Sequence, residues 1–350
     1  MIHRSLPVTQ WPGRLMALLA ISILLYFGRT LFIPLCYGLL IAIVLYPVCR
    51  WLEVKGWPRS LAVTTGLLIV MILFIGLISL LVIEFNLFRK DLPELLARAK
   101  PVLTGLQEWI TRQFGITIDE QQQWWQRSTQ QVSDNAGAIA QTTLSALGAI
   151  LFTLFLVPVY AALFLYNREV FVQFLVKMMA GKTMVPVKDI LHKVIHTYFS
   201  FIKGMALVYL VVGILNSIGL LALGIRHAVL FGMLTAIMTI IPYIGIIVSA
   251  MLPVSVALIT KDSAWYAVGV IAIFAFVQYL EANVIFPKIV ATQLNVSTWA
   301  TLVAIIAGGI IWGVSGMILF IPFIGILKIV LDHVPEWNTW NILVGRENNS

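Results

Sequence analysis

Charge is what this sequence has least of. Only 11% of its 350 residues are Asp, Glu, Lys or Arg, while 60% are hydrophobic and the mean hydropathy is +0.97. A soluble domain is about half apolar and about a quarter charged. The composition therefore excludes an ordinary soluble globule and reads as a membrane protein. Acidic side chains are scarcest, 15 against 23 basic, which leaves a net charge of +8. In so apolar a chain the basic excess reads as topology and lipid-headgroup contact. No basic patch interleaved with stacking aromatics points to nucleic acid. Cysteine is nearly absent. Cys36 and Cys49 share one apolar segment, and a helix would hold them about 20 Å apart, farther than a disulfide reaches. There is no Gly-rich phosphate loop and no G-x-S-x-G elbow. With no nucleophile and base paired in a span either, the chain is expected not to be an enzyme and to need no cofactor and no metal. The first apolar stretch is too long for a cleavable signal peptide, and no small-residue cleavage site follows it.

Long hydrophobic runs are what the chain does have. A span needs about 20 apolar residues. Six segments are read as spans: Leu15–Ile33, Pro34–Val48, Leu61–Ile83, Leu144–Tyr166, Phe201–Leu223 and Ala264–Phe286. The first two require a turn at Gly28–Thr30, and Pro158 is expected to kink the fourth. Two more runs, Ala228–Ile259 and Thr298–Leu331, are too long for one straight span and too short for two. Each carries an Ile-Pro-aromatic-Ile-Gly break, "IPYIG" at Ile241–Gly245 and "IPFIG" at Ile321–Gly325. An aromatic-Gly pair precedes each: Phe231-Gly232 and Trp312-Gly313. Both runs are read as re-entrant helical hairpins, against the alternative of two long, tilted, kinked spans. Their tips and hinges are expected at Pro242, Tyr243, Gly245 and Pro253, and at Gly308, Gly309, Pro322 and Gly325. Broken backbone at membrane depth is tolerated only where protein buries it or a wet cavity lines it. Paired interruptions of this kind point to a transporter's binding site.

The expected fold is an all-α polytopic membrane protein. It has about six full transmembrane helices plus two re-entrant hairpins, eight hydrophobic segments in all, and a small helical extracytoplasmic segment. Its regions are 1–83, N-terminal spans; 84–143, the polar segment; 144–200, a span and a basic interfacial helix; 201–334, a transport region with the broken hairpins; and 335–350, a tail. Basic residues cluster in Arg50–Ser60 and Asn167–Lys203, on the side of the N-terminus. The positive-inside rule then puts both termini in the cytoplasm.

The polar segment Glu84–Gln141 carries six basic and seven acidic residues, close to neutral. Leu92, Leu95, Leu96, Ala99, Leu103, Leu106 and Ile110 recur at helical spacing. Asp119 is a candidate cap for a second, Gln-rich helix that holds Trp124 and Trp125. This layer reads as a lid or spacer resting on the headgroups, with a specific ligand site as the alternative. In Asn167–Lys203, Phe171, Phe174, Leu175 and Met178 alternate with lysines, as in an amphipathic helix on the inner leaflet. "HKVIH" at His192–His196 has the spacing of a zinc-peptidase helix, but Lys193 stands where the general-base Glu would be.

Glu281 is the acidic residue well inside a span. A carboxylate at bilayer depth is costly and faces a protein interior or a water path. Three readings stand open: a coupling group in transport, a clamp on broken backbone, or a residue near the interface two turns from Lys288. Gln278, one turn earlier, shares its face, whereas Asn283 points about 200° away around the helix. All three are candidate transport residues.

"FIPLCYGLLIAIVLYPVCRWLEVKGWPRSLAV", with Pro34, Pro47, Gly56 and Arg59–Ala62, resembles the second span of the autoinducer-2 exporter family of bacterial membrane proteins. "FLYNREVF", "IIPYIG", "LEANVIFPKI" and "GGIIWGVSGMILFIPFIG" resemble its later signatures. Ile246 stands where the family often has a second proline. The resemblance covers nearly the whole chain outside Glu84–Gln141. It implies a permease of the bacterial cytoplasmic membrane, a homo-oligomer and in particular a pentamer, that moves a small polar solute such as autoinducer-2, or a monovalent cation, outward. It equally admits a sodium- or lithium-proton antiporter. A non-transporting membrane scaffold is the reading from another class. The partners expected are the transported solute or cation, membrane lipids and further copies of the chain, with no nucleic acid.

Overall fold

The computed structural model describes residues 11–123, 152–180, 183, 185–242, 244–290 and 295–345. Trp124, Trp125 and Tyr243 lie outside the described residues. Within them the chain is helical, and the one β-type pairing is an isolated bridge between Val296 and Gly345.

The helices are α1 Trp11–Phe27, α2 Arg29–Val54, α3 Arg59–Phe114, α4 Phe152–Tyr166, α5 Arg168–Met178 and α6 Val187–Ala222. They continue as α7 Ala228–Met238, α8 Ile244–Thr260, α9 Trp265–Leu280, α10 Thr298–Trp312, α11 Val314–Leu331 and α12 Asn338–Val344. A π-helical turn, Glu281–Ile285, and a last α-turn, Phe286–Ile289, extend α9. Among the described residues five helices are long and apolar enough to cross a membrane: α2, α3, α6, α9 with its extension, and α11. The pair α4 and α5, bent by 67°, makes a sixth if it counts as one span.

Pro158 lies inside the continuous helix α4, and a 67° bend follows Tyr166, where the fourth span ends. The side chain of Asn167 there donates to the Leu163 carbonyl, and Arg59 donates to the Tyr166 carbonyl. With these last carbonyls of α4 satisfied from outside, the helix can stop. Ion pairs Arg168–Glu53 and Arg59–Glu169 brace the same corner. The polar stretch after Ile83 opens as a continuation of the third span's helix. Helix α3 runs 56 residues without interruption, through Pro93 and Pro101. The cap of the next helical turn is not Asp119. Thr117 and Glu120 form it: the Thr117 N–H donates to the Glu120 carboxylate and the Glu120 N–H to the Thr117 hydroxyl, a capping box. The basic linker is two elements, since α5 ends at Met178 and the His192–His196 stretch lies in the first turns of α6.

The second hairpin turns at another place than expected. Pro322 and Gly325 sit buried inside the continuous helix α11, and Gly308 and Gly309 lie within α10. The reversal is at Gly313, with φ 61° and ψ −141°, a conformation close to glycine-only backbone space. The first hairpin does break at its motif. Helix α7 ends at Met238 and α8 begins at Ile244, with Pro242 in the turn. Pro253 is buried inside α8 and makes no break in it.

Close contacts divide the chain into two units. The first comprises Met1–Leu68, Thr153–Ile202 and Ala291–Ser350; the second comprises Ile69–Phe152 and Lys203–Val290. In lipid, apolar side chains gain little by leaving apolar tails, so helices associate through small residues that let backbones approach. In the first unit Gly38 lies against α4, where a Cβ would meet the Tyr160 Cβ at 2.6 Å. Gly308 and Gly316 cross α10 on α11; a Cβ on Gly316 would come within 1.9 Å of the Gly308 carbonyl oxygen. In the second unit Gly213 and Gly232 bring α6 against α7. Its apolar core gathers Leu220, Phe231, Val256, Val270 and Phe274 with Leu95 of α3. His227, in the left-handed region at the start of α7, meets Asp91 at 3.1 Å and stands edge-on to Phe88.

Candidate functional site

Glu281 is set by the second unit. It opens the π-helical turn, where one extra residue per turn widens the coil and re-aims the side chains that follow; such turns are frequent at functional sites. The side chain is 9% exposed. Its Oε2 is buried and has no hydrogen-bond partner. An ionised carboxylate with an unpartnered oxygen in such a place is costly. A proton, a cation or a moving polar group would each relieve that cost.

The neighbours come from α6. Gly204 packs on the backbone of Ile289 and Gly219 on the Ile273 side chain. The two helices are therefore antiparallel, with Tyr209 and Asn216 between these contacts. Tyr209 lies within electrostatic range of Glu281. Asn216 is completely buried; its amide donates to the Val212 carbonyl at 2.9 Å, and its Oδ1 has no partner. Two unsatisfied acceptors thus belong to one packed pair of helices. The sequence reading missed both α6 residues. The signal was there, since Asn216 is an uncharged polar residue in the middle of the apolar run Phe201–Leu223 and fell under the same rule as Glu281.

Of the residues expected beside Glu281, Gln278 is half-buried one turn earlier on the same helix. Asn283 is exposed and bonds back to the Tyr279 carbonyl at 3.0 Å. The structure does not bring it to Glu281, in line with its angular offset.

The hairpin α7–α8 belongs to the same unit. Its turn is tight because Gly245 lies on the backbone of Met238, where a Cβ would meet the carbonyl oxygen at 1.7 Å. Ser249 and Thr235, both buried, return their hydroxyls to the Ile246 and Phe231 carbonyls. The polar atoms of the hairpin are thus satisfied locally, unlike those of Glu281 and Asn216. Among the described residues no group of three or more His, Cys, Asp or Glu could hold a metal ion.

The model of the AI-2E family transporters matches residues 15–336. The chain belongs to that family. The match runs from α1 through α11 and takes in Glu281, Asn216 and both hairpins. The AI-2E chain is 26% identical over 326 residues to YrrI of Bacillus subtilis, covering 89% of this chain and 88% of that one. It is 21% identical over 332 residues to YhhT of Escherichia coli K12, covering 95% and 93%. Over 327 residues it is 24% identical to the AI-2 transport protein TqsA of Escherichia coli K12, covering 92% and 91%. This AI-2E member is accordingly a multi-pass transporter-family protein.

Proposed function

We propose that the chain is a secondary transporter of the cytoplasmic membrane, with both termini inside, that moves a small polar solute such as autoinducer-2 or a monovalent cation outward. Glu281 is its coupling group. One observation carries the reading: a buried carboxylate oxygen without a partner, at the start of a π-helical turn, on a helix long and apolar enough to span. The buried, unpartnered Oε2 favours a coupling group over a backbone clamp or an interfacial residue. Gln278 and the α6 pair Tyr209 and Asn216 supply polar atoms along the same helix pair. The hairpin α7–α8, with Pro242 and Gly245 at its turn, is the element of this unit that moves. No step requires catalysis or a cofactor. The chain works as a homo-oligomer, as the family resemblance implies.

A second reading, sodium(lithium)/proton exchange, is favoured by the same free oxygen, which can take either a proton or a cation. Proteoliposomes with an imposed pH gradient and a pH-sensitive dye test it. Sodium, lithium and potassium are added in turn, with wild type beside Glu281→Gln. A cation-dependent proton flux that falls at least tenfold in the mutant places Glu281 in the coupling path. No flux from either protein, with insertion verified, rules out the exchanger and turns the search to export of a neutral polar signal molecule. A flux of equal size in both removes Glu281 from the mechanism.

A further inference from the structure

The C-terminal residues return to the open end of the α10–α11 hairpin, all within the first unit. At the start of α10, the Ser297 N–H donates to the Val344 carbonyl at 2.8 Å. The Ser297 hydroxyl and the Trp299 indole N–H both donate to the Leu343 carbonyl, at 3.2 and 2.7 Å. Val296 and Gly345 form the isolated bridge. At the end of α11, Asp332 Oδ1 accepts from Lys328 and from the Asn341 amide. Lys328 is buried, and Gly345 packs so closely that a Cβ there would meet its Cε at 3.2 Å. One short segment thus holds both ends of a hairpin whose other end is a single glycine.

Its outer face is apolar. Trp337, Trp340 and Leu343, spaced three residues apart and so on one helical face, are exposed, Trp340 by 63%. They begin six residues after Leu331, where a helix of spanning length and composition ends. Tryptophan favours the membrane–water boundary, and a short apolar face beside a span end fits the headgroup–acyl boundary. The occupant of this face is therefore lipid.

We propose that Pro335–Gly345 is a clasp seated in the membrane interface that ties the two ends of the α10–α11 hairpin, so that the hairpin moves as one piece. The inference stands apart from the coupling role of Glu281, and its test needs no transport assay.

Hydrogen exchange of the full chain in lipid nanodiscs tests the tie. Trp299→Phe removes the indole donor to the Leu343 carbonyl and leaves the Ser297 cap on the Ala300 N–H in place; Trp299→Phe with Asn341→Ala, which also removes the amide donor to Asp332, is the stronger variant. Exchange in residues 295–302 is expected to rise about tenfold in the double variant and less in the single one, with α7–α8 unchanged. Unchanged exchange in both variants, or an equal rise throughout the chain, overturns the clasp. For the seat, Leu343→Cys, on the same face as Trp337 and Trp340, carries a fluorophore on a Cys36→Ala, Cys49→Ala background. Quenching by brominated lipid is expected, and a labelled but unquenched probe overturns the interfacial placement.

Discussion

The two hairpins carry nearly the same five residues, Ile-Pro-Tyr-Ile-Gly and Ile-Pro-Phe-Ile-Gly, and use them in opposite ways. In α7–α8 the motif is the turn: five residues separate Met238 from Ile244 and include Pro242. In α10–α11 the motif is buried helix, and the chain reverses at Gly313, nine residues before Pro322. Proline permits a break but does not compel one, because neighbouring groups in a membrane protein can accommodate the carbonyl it frees. What fixes each reversal is the place where backbone lies on backbone. Gly245, the second residue of α8, rests on Met238, the last of α7, and Gly308 rests on Gly316, around the second turn. The contact register sets the tip, and the proline falls where the register leaves it.

The largest test of that idea adds side chains at the contacts. Gly316→Leu puts a branched side chain where even a Cβ would lie 1.9 Å from a carbonyl oxygen, and Gly245→Ala does the same at 1.7 Å. The atoms met are backbone, so the helices must separate. Each variant is expected to lose roughly 3 kcal/mol or more, read as a drop in thermal transition of the purified protein. If Gly316→Leu leaves the transition in place, the close crossing of α10 on α11 does not set the second tip.

A smaller loss is expected from Gly313→Ala. No neighbouring atom lies within 4 Å of a Cβ there, so space is not the issue. The backbone conformation is, at a cost on the order of 1–3 kcal/mol. The comparison sharpens if the loss is seen with the clasp intact, since the two ends of the hairpin then hold a strained turn closed. No loss would mean that the turn has shifted toward Pro322 in the variant.

Much of this architecture was legible because hydrophobic length is a coarse and strong signal. The runs beginning at Pro34, Leu61, Phe201 and Ala264 all lie in helices of spanning size. The solitary acid Glu281 could be singled out because charge at bilayer depth is rare for a physical reason. Breaks were harder. Pro322 reads as a tip because proline lacks an N–H, yet the chain reverses at Gly313, where glycine backbone allows it. Polarity changes at Glu84 while α3 continues to Phe114, because a helix ends where its bonds find other partners and not where its surroundings change. Asn216 was passed over because it is uncharged, although its buried, unpaired oxygen places it in the same class as Glu281.

The smallest effect separates the two prolines. Pro322→Ala restores an N–H inside a helix that is already continuous and leaves Gly313 and the Gly308–Gly316 contact untouched. Its removal is expected to shift stability by less than about 1 kcal/mol, in the stabilising direction, because alanine is the better helix former. Pro242→Ala acts in the turn itself. There proline narrows the unfolded chain's freedom, so its loss costs about 0.4–1 kcal/mol. Thermal transitions of the two variants should therefore move in opposite directions by small amounts. A fall of several kcal/mol for Pro322→Ala would make the shared motif a structural device in both hairpins, and the difference in their tips would need another cause than contact register.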